Sequence, residues 1–435
     1  MPPALSVIVA VHDVEPWIGE CLRSVAEQVP EGTEVILVDD GSTDASGRLC
    51  DELAQGRPGW RVVHQPNAGL GAARNAGLRL ATADLVGFVD GDDVLLPGYR
   101  ALVAAAQSRG YAVATGPVLR TDGRRTWVSA LHAQALDHLG DVADVTRDPA
   151  LVYDTTAWNK VYRRDFLREH DLEFPEGVLY EDLPLTIPAY CLAGPVAVVH
   201  EPVYAWRART AGLSITQRRY EVDNLRDRFA AVAAVDRFLE QHQLHDLRVA
   251  HDDKVLRVDL PLYTAALPEG DETFRAAYLS FCEHLLGAVS EERRRRLPPT
   301  LRLYVELAAA GRMEDLVTAV RGRRGPRVWA PDTRSGWQRV RDDLAVYRLE
   351  RELGLASWPQ VLRRAPVRAA RLLLPEDRWR RVGAAPRPRR SPARTQAAAP
   401  PPVGVPSVAG ASRAAGTLST ETDPRRSPER QATNE

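Results

Sequence analysis

Paired cysteines, long apolar runs, tandem repeats and a large net charge of either sign are all missing from this 435-residue chain. The four cysteines, Cys21, Cys50, Cys191 and Cys282, stand far apart and form no C-x-x-C pair. That spacing excludes a zinc knuckle and suits reduced, structural thiols in a cytosolic protein. No stretch approaches the roughly 18 uninterrupted apolar residues of a membrane-spanning helix. The N-terminus has no basic start, and its apolar run, Leu5 to Val11, is too short for a secretory signal. A formal net charge of −1 creates no global field for nucleic acid or an anionic membrane. The expectation is a soluble, cytoplasmic chain that touches the inner face of the plasma membrane at most from its surface.

What is present is a regular α/β rhythm. LSVIVAV (Leu5 to Val11), EVILV (Glu34 to Val38), Arg61 to His64 and Leu85 to Val89 read as buried strands. Between them, Glu15 to Gln28 places Trp17, Ile18, Cys21, Leu22 and Val25 on one helical face. Ser42 or Thr43 is the expected cap of a helix running toward Ala54, and Gly69 to Leu80 forms a third helix. This order predicts a mainly parallel sheet with helices on both faces. Residues 97 to 215 mix short strands and helices, and 220 to 322 are mostly helical, with Leu225, Phe229, Val232, Val235 and Phe238 on one stripe. Eleven arginines crowd 361–395, and Pro, Ala, Arg, Ser and Thr dominate from 383 onward, a composition that buries no core. The expected organisation is therefore an α/β domain over 1–215, a helical region over 216–360, and an arginine-rich linker with a disordered tail over 361–435. Residues 361–395, with Leu372, Leu373, Leu374 and Trp379, could hold the chain on anionic lipid, or could be a solvated linker.

Four clusters carry candidate chemistry. VDDGSTD (Val38 to Asp44) ends the second strand, where ligands bind in open α/β sheets, and it also reads as a simple capped turn. NAGLGAARNAG (Asn67 to Gly77) opens a helix and offers free N–H groups and Arg74 to a phosphate or carboxylate; its glycines also suit close helix–sheet packing. FVDGDD (Phe88 to Asp93) crowds three carboxylates at a strand tip, where like charges raise one another's pKa unless a cation relieves them. Oxygen ligands of this kind suit Mg²⁺ or Mn²⁺ bound together with a diphosphate. The acidic pair Glu181 and Asp182 precedes helix-like sequence and is either helix-end charge or a general base. Lys160 and Arg207 are weaker candidates for a diphosphate contact.

Taken together, SVIVAVHD, VDDGSTD, QPNAGLGAARNAG, FVDGDD and YED, in that order over residues 5 to 215, resemble the inverting glycosyltransferase family 2 of the GT-A fold. The resemblance implies a nucleotide-diphospho-sugar donor, with Val11, Asp13 and Asp40 around the base and ribose and Asp39 supporting that loop. Asn67 and Arg74 would border the nucleotide and its diphosphate. Asp90, Gly91 and Asp92 resemble the D-x-D element, Asp92 being the favoured metal ligand, and Asp93 would meet the donor sugar. Asp182 resembles the base that deprotonates an acceptor hydroxyl, with Glu181 the alternative. The acceptor would be a glycan, a polyol or a lipid-linked molecule, with no nucleic acid involved. The chain departs from the processive members in having no Q-x-x-R-W segment and no transmembrane helix, which favours a non-processive or peripheral enzyme. It is also similar to modules joined in some actinobacterial proteins to a polyglycerol-phosphate polymerase, which implies a cell-wall or surface-glycan role; the second module is not recognisable. Two alternatives stay open: a sugar nucleotidyltransferase, disfavoured by the acidic His12-Asp13-Val14-Glu15 after the first strand, and a degenerate transferase serving as a binding module.

Overall fold

A computed structural model describes residues 3–209, 218–323 and 336–355. All of them fall in one compact unit, within Met1–Trp379. The expectations for 361–395 and for the tail lie outside the described residues.

The first ninety residues fold as four parallel strands linked by three helices: β1 (Leu5–Val11), α1 (Glu15–Gln28), β2 (Glu34–Asp40), α2 (Ser46–Ala54), β3 (Trp60–Gln65), α3 (Leu70–Leu80) and β4 (Leu85–Asp90). The period-two alternation of strand side chains builds two cores. Leu5, Val7, Val9 and Val11 of β1 join Val35 and Leu37 on one face, while Ile8 and Ala10 join Ile36, Val38 and Phe88 on the other. Both faces are covered, which is why these strands read as unbroken apolar runs rather than alternating ones.

The chain then adds β5 (Val94–Leu95), α4 (Gly98–Arg109), β6 (Val113–Thr115), β7 (Val118–Thr121), β8 (Thr126–Val128), α5 (Ala130–Leu136), β9 (Val142–Asp144), β10 (Lys160–Arg163), α6 (Arg164–Glu169), α7 (Leu183–Ala193), β11 (Pro195–Val198) and β12 (Tyr204–Arg207). The large sheet runs β3-β2-β1-β4-β10-β6-β11-β9, and a small one runs β5-β12-β7-β8. β10 lies antiparallel between β4 and β6 and β9 lies antiparallel at the far edge, while β6 and β11 pair parallel, so the sheet is mostly parallel with two reversed strands. Strand order reverses at β1, which has β2 on one side and β4 on the other. A crevice opens beyond the carboxyl ends of strands at such a switch point.

Helices α8 (Val222–Gln241) and α9 (His245–Lys254) follow, then a π-helical turn (Val255–Asp259) and further helices to Glu352. Leu225, Val232 and Val235 of the expected stripe are buried, and the core beneath one sheet face continues through them to Leu349. Among the described residues no helix is long and apolar enough to cross a membrane.

One local expectation is corrected. α2 begins at Ser46, and neither Ser42 nor Thr43 caps it. Asp13 draws both away: its carboxylate accepts the Thr43 N–H at 2.7 Å, and its own N–H donates to Ser42 Oγ at 3.2 Å. Asp44 Oδ1 receives the Ser46 N–H at 2.9 Å instead.

Candidate active site

Each of the three strand tips at the switch point carries carboxylates. After β1, Asp13 sits in the left-handed region (φ 47°) and ties this loop to residues 42–44. The Thr43 N–H bond leads the interactions that hold its carboxyl below the ordinary range. At the end of β2, Asp40 is buried and accepts hydrogen bonds from Gln65 Nε2 (2.8 Å), Ala68 N (2.9 Å) and Gly69 N (2.8 Å). Gly41 turns the chain at φ 68°, where a Cβ would sit 2.7 Å from the Asn67 nitrogen. Burial opposes ionisation of Asp39, but its bonds to Ser42 and His64 outweigh that and lower its pKa. His12 links the first two tips to the third loop, with Nδ1 2.9 Å from the Asp40 carbonyl and Nε2 3.2 Å from Asn67 Nδ2. Asp13, Asp40 and Asn67 thus share one rim, while Val11 is buried beneath it.

The centre of the site is Arg74, on the buried face of α3 and only 1% exposed. Its guanidinium donates to Asp90 Oδ1 at 2.7 Å and to Glu181 Oε1 and Asp182 Oδ1, both at 2.6 Å. The sequence offered Arg74 to a phosphate or a carboxylate, and the family resemblance set it beside a diphosphate; here it gathers three carboxylates from two distant parts of the chain. α3 can come this close because its inner positions are small. A Cβ on Gly77 would lie 2.3 Å from Ile8 Cγ2, and one on Gly71 would lie 2.2 Å from the Pro175 carbonyl oxygen.

Beyond β4, Gly91 N–H extends the ladder to the Ala10 carbonyl at 2.9 Å. Asp93 is 1% exposed, and its oxygens accept the Tyr204 hydroxyl (2.9 Å) and the Arg207 N–H (2.7 Å). Burial, then the charges of Asp92 and Asp90, push its pKa well above its ordinary value. Tyr204 stacks on Trp158, centroids 4.2 Å apart. Asp92 Oδ2 accepts from Arg209 Nε at 2.6 Å, and Arg209 lies over the Trp17 ring. Arg207 bonds Glu20 at 2.7 Å and the Asp92 carbonyl, so its guanidinium is already engaged. Lys160 lies away from this rim, buried against Asp154 (2.9 Å) and Asn159 (2.9 Å), with its pKa lowered by burial.

Glu181 and Asp182 precede α7. Burial raises the Glu181 carboxyl to about 7 against the pull of Arg74, and burial raises Asp182 as well. Tyr180 enters this pair at φ 65°, a conformation that costs a bulky residue roughly 1–2 kcal/mol. A cavity of about 400 Å³ opens beside Glu181, lined also by Asn67, Gly69, Gly177 and Asp227.

Among the described residues no group of three His, Cys, Asp or Glu side chains is arranged to hold a metal ion. A divalent ion that completes its shell with diphosphate oxygens needs only one or two protein carboxylates. Asp90 and Asp92 meet that requirement, since each uses one oxygen on an arginine and retains the other. Arg209, Glu20 and Asp227 were not anticipated from sequence. The period-two spacing of Arg207 and Arg209 was the one available signal for the first.

Residues 6–171 match the glycosyl transferase family 2 model. The chain is 33% identical over 235 residues to glycosyltransferase EpsH and 32% identical over 222 residues to glycosyltransferase EpsJ, both of Bacillus subtilis. These alignments cover 50% and 49% of this chain and 63% and 64% of the relatives, so the chain spans less than two thirds of their length. Among solved structures, S. aureus TarS 1–349 in complex with UDP superposes with a TM-score of 0.56 at 20% identity, covering 76% of this chain and 94% of that one. That likeness establishes the GT-A fold. Residues 6–171 are thus similar to glycosyltransferase family 2.

Proposed function

We propose that this protein is an inverting glycosyltransferase that moves a sugar from a nucleotide-diphospho-sugar to an acceptor hydroxyl. The observation that carries this reading is the convergence on Arg74. The D-x-D loop and the acidic pair, about ninety positions apart in sequence, meet at a single guanidinium at the switch point of the sheet. In this reading Asp90 and Asp92 would face the donor and Asp182 would face the acceptor, with Arg74 between them.

On the donor side, the rim of Asp13, Asp40 and Asn67 would receive the base and ribose. A structure of TarS with UDP, and another with UDP-GlcNAc, make a uridine nucleotide the first candidate. Asp92 and Asp90 would hold Mn²⁺ or Mg²⁺, which when bound offsets negative charge on a departing diphosphate. Asp182 accepts the proton of the acceptor hydroxyl as its oxygen bonds to the anomeric carbon. The bond from that carbon to the diphosphate oxygen breaks in the same displacement, so the anomeric centre inverts. Burial raises the pKa of Asp182 and so makes it a stronger base than a free aspartate, while the Arg74 charge opposes that rise and keeps it ionisable inside a buried site. An acceptor of cell-wall or surface-glycan type fits the resemblance to surface-polymer enzymes.

The test is Asp182→Asn. Transfer is expected to fall by roughly 10²–10⁴-fold, the usual worth of a positioned base, with nucleotide affinity unchanged. Wild-type turnover in this variant would remove the assignment.

A further inference from the structure

The turn that delivers Glu181 and Asp182 is gripped by a helix from outside the family-matched segment. Asn224, Asp227 and Arg228 occupy one face of α8, at the i, i+3, i+4 spacing of helical neighbours. Each holds a different atom of residues 179–180. Asp227 Oδ2 accepts the Leu179 N–H at 3.0 Å. Asn224 Oδ1 accepts the Tyr180 hydroxyl at 2.9 Å, with the Tyr263 hydroxyl 3.0 Å from the same oxygen. The Arg228 guanidinium covers the Tyr180 ring, 4.6 Å from its centroid.

The grip is itself braced. Arg228 pairs with Asp259, and Asp259 pairs with Lys254 at 2.8 Å, all three buried. Asp259 closes the π-helical turn Val255–Asp259, and such single turns recur at functional sites. What this brace opposes is clear from the backbone. Tyr180 stands at φ 65°, which L-residues other than glycine, asparagine and aspartate rarely adopt. Released, it would relax to negative φ and rotate the peptide that leads into Glu181 and Asp182.

We propose that α8 is a positioning clamp: Asn224, Asp227 and Arg228 hold the Leu179–Tyr180 turn in its left-handed form and so aim Asp182 at the acceptor oxygen. This inference rests on the reading of Asp182 as the base. It makes the helical region part of the catalytic apparatus without any of its side chains touching the reacting atoms.

The experiment compares Asp227→Ala, Asp227→Asn, Tyr180→Phe and Asp182→Asn in the full-length chain. The readout is release of nucleoside diphosphate from whichever UDP-, GDP-, CDP- or dTDP-sugar most stabilises the wild type. Asp227→Ala and Tyr180→Phe are expected to lower kcat roughly ten- to a hundredfold, the effect of a small misplacement, with nucleotide Kd and melting temperature within error of wild type. Asp227→Asn keeps an oxygen for the Leu179 N–H and is expected to restore most of the rate. The clamp is overturned if Asp227→Ala and Tyr180→Phe turn over like wild type, if Asp227→Asn is as impaired as Asp227→Ala, or if kcat and nucleotide affinity fall together. If Asp182→Asn is itself fully active, the base assignment fails first, and a rate loss in the clamp variants would then be attributed to some other group.

Discussion

Arg74 decides what the acidic residues around it can do. A buried guanidinium with three carboxylates within 2.7 Å is stable only while the pairing is complete. Removing it leaves several uncompensated charges, so Arg74→Met should cost at least about 3–5 kcal/mol by urea denaturation and leave little folded protein. Glu181 makes a subtler prediction. Its carboxyl is raised by burial to about 7 in the folded chain, against about 4.3 for a free glutamate. The folded state therefore binds its proton more tightly, and the stability this provides is complete below pH 4 and lost as pH rises toward 7. Glu181→Gln carries no such ionisation. Its melting temperature relative to wild type should be higher at pH 8 than at pH 5, by differential scanning fluorimetry, with a ceiling of about 3 kcal/mol. No change in that difference between the two pH values would show that Glu181 ionises normally.

At the scale of elements, the site depends on how closely α3 lies on the sheet. Gly77 against Ile8 leaves no room for a methyl group. Gly77→Ala is expected to destabilise the fold by about 1–3 kcal/mol in a denaturant titration, the ordinary penalty of overpacking, despite the better helix propensity of alanine. A neutral or stabilising outcome would mean that the helix can shift outward without disturbing Arg74. These elements were legible in the sequence because both signals agreed. Uninterrupted apolar runs marked doubly covered strands, and the helices between them kept a 3.6-residue period. β10 was not legible: it is four residues long and its register is set by β4 and β6, strands distant in sequence. The α2 start was misplaced for a related reason, since Ser42 and Thr43 look like caps until Asp13, thirty positions away, competes for them. The acidic motifs could be read as chemistry, but their mutual distances could not. Nothing local to NAGLGAARNAG or YED reveals that Arg74 joins the two. Asn224 and Arg228 were hidden among the apolar residues of an amphipathic helix, where their burial is a tertiary fact.

Across the whole molecule, the family-matched segment and the helices beyond it share one core, which runs from Ile8 under the sheet to Leu349. The site at the switch point draws on both, with Asp90 at the end of β4 and Asp92 in the turn after it, Arg74 from α3, and an acidic turn fastened by α8. This site is expected to bind a nucleoside diphosphate with a divalent ion at Asp90 and Asp92. That expectation is tested most directly by melting the full-length chain with UDP, GDP, CDP and dTDP, each with Mn²⁺ and with chelator, beside Asp92→Ala. Ligand at a hundred times its Kd should stabilise the native state by about 2.7 kcal/mol. At least one nucleotide should raise the melting temperature in Mn²⁺, and chelator or Asp92→Ala should remove that rise. No shift with any of the four, or an equal shift in chelator and in Asp92→Ala, would contradict that expectation.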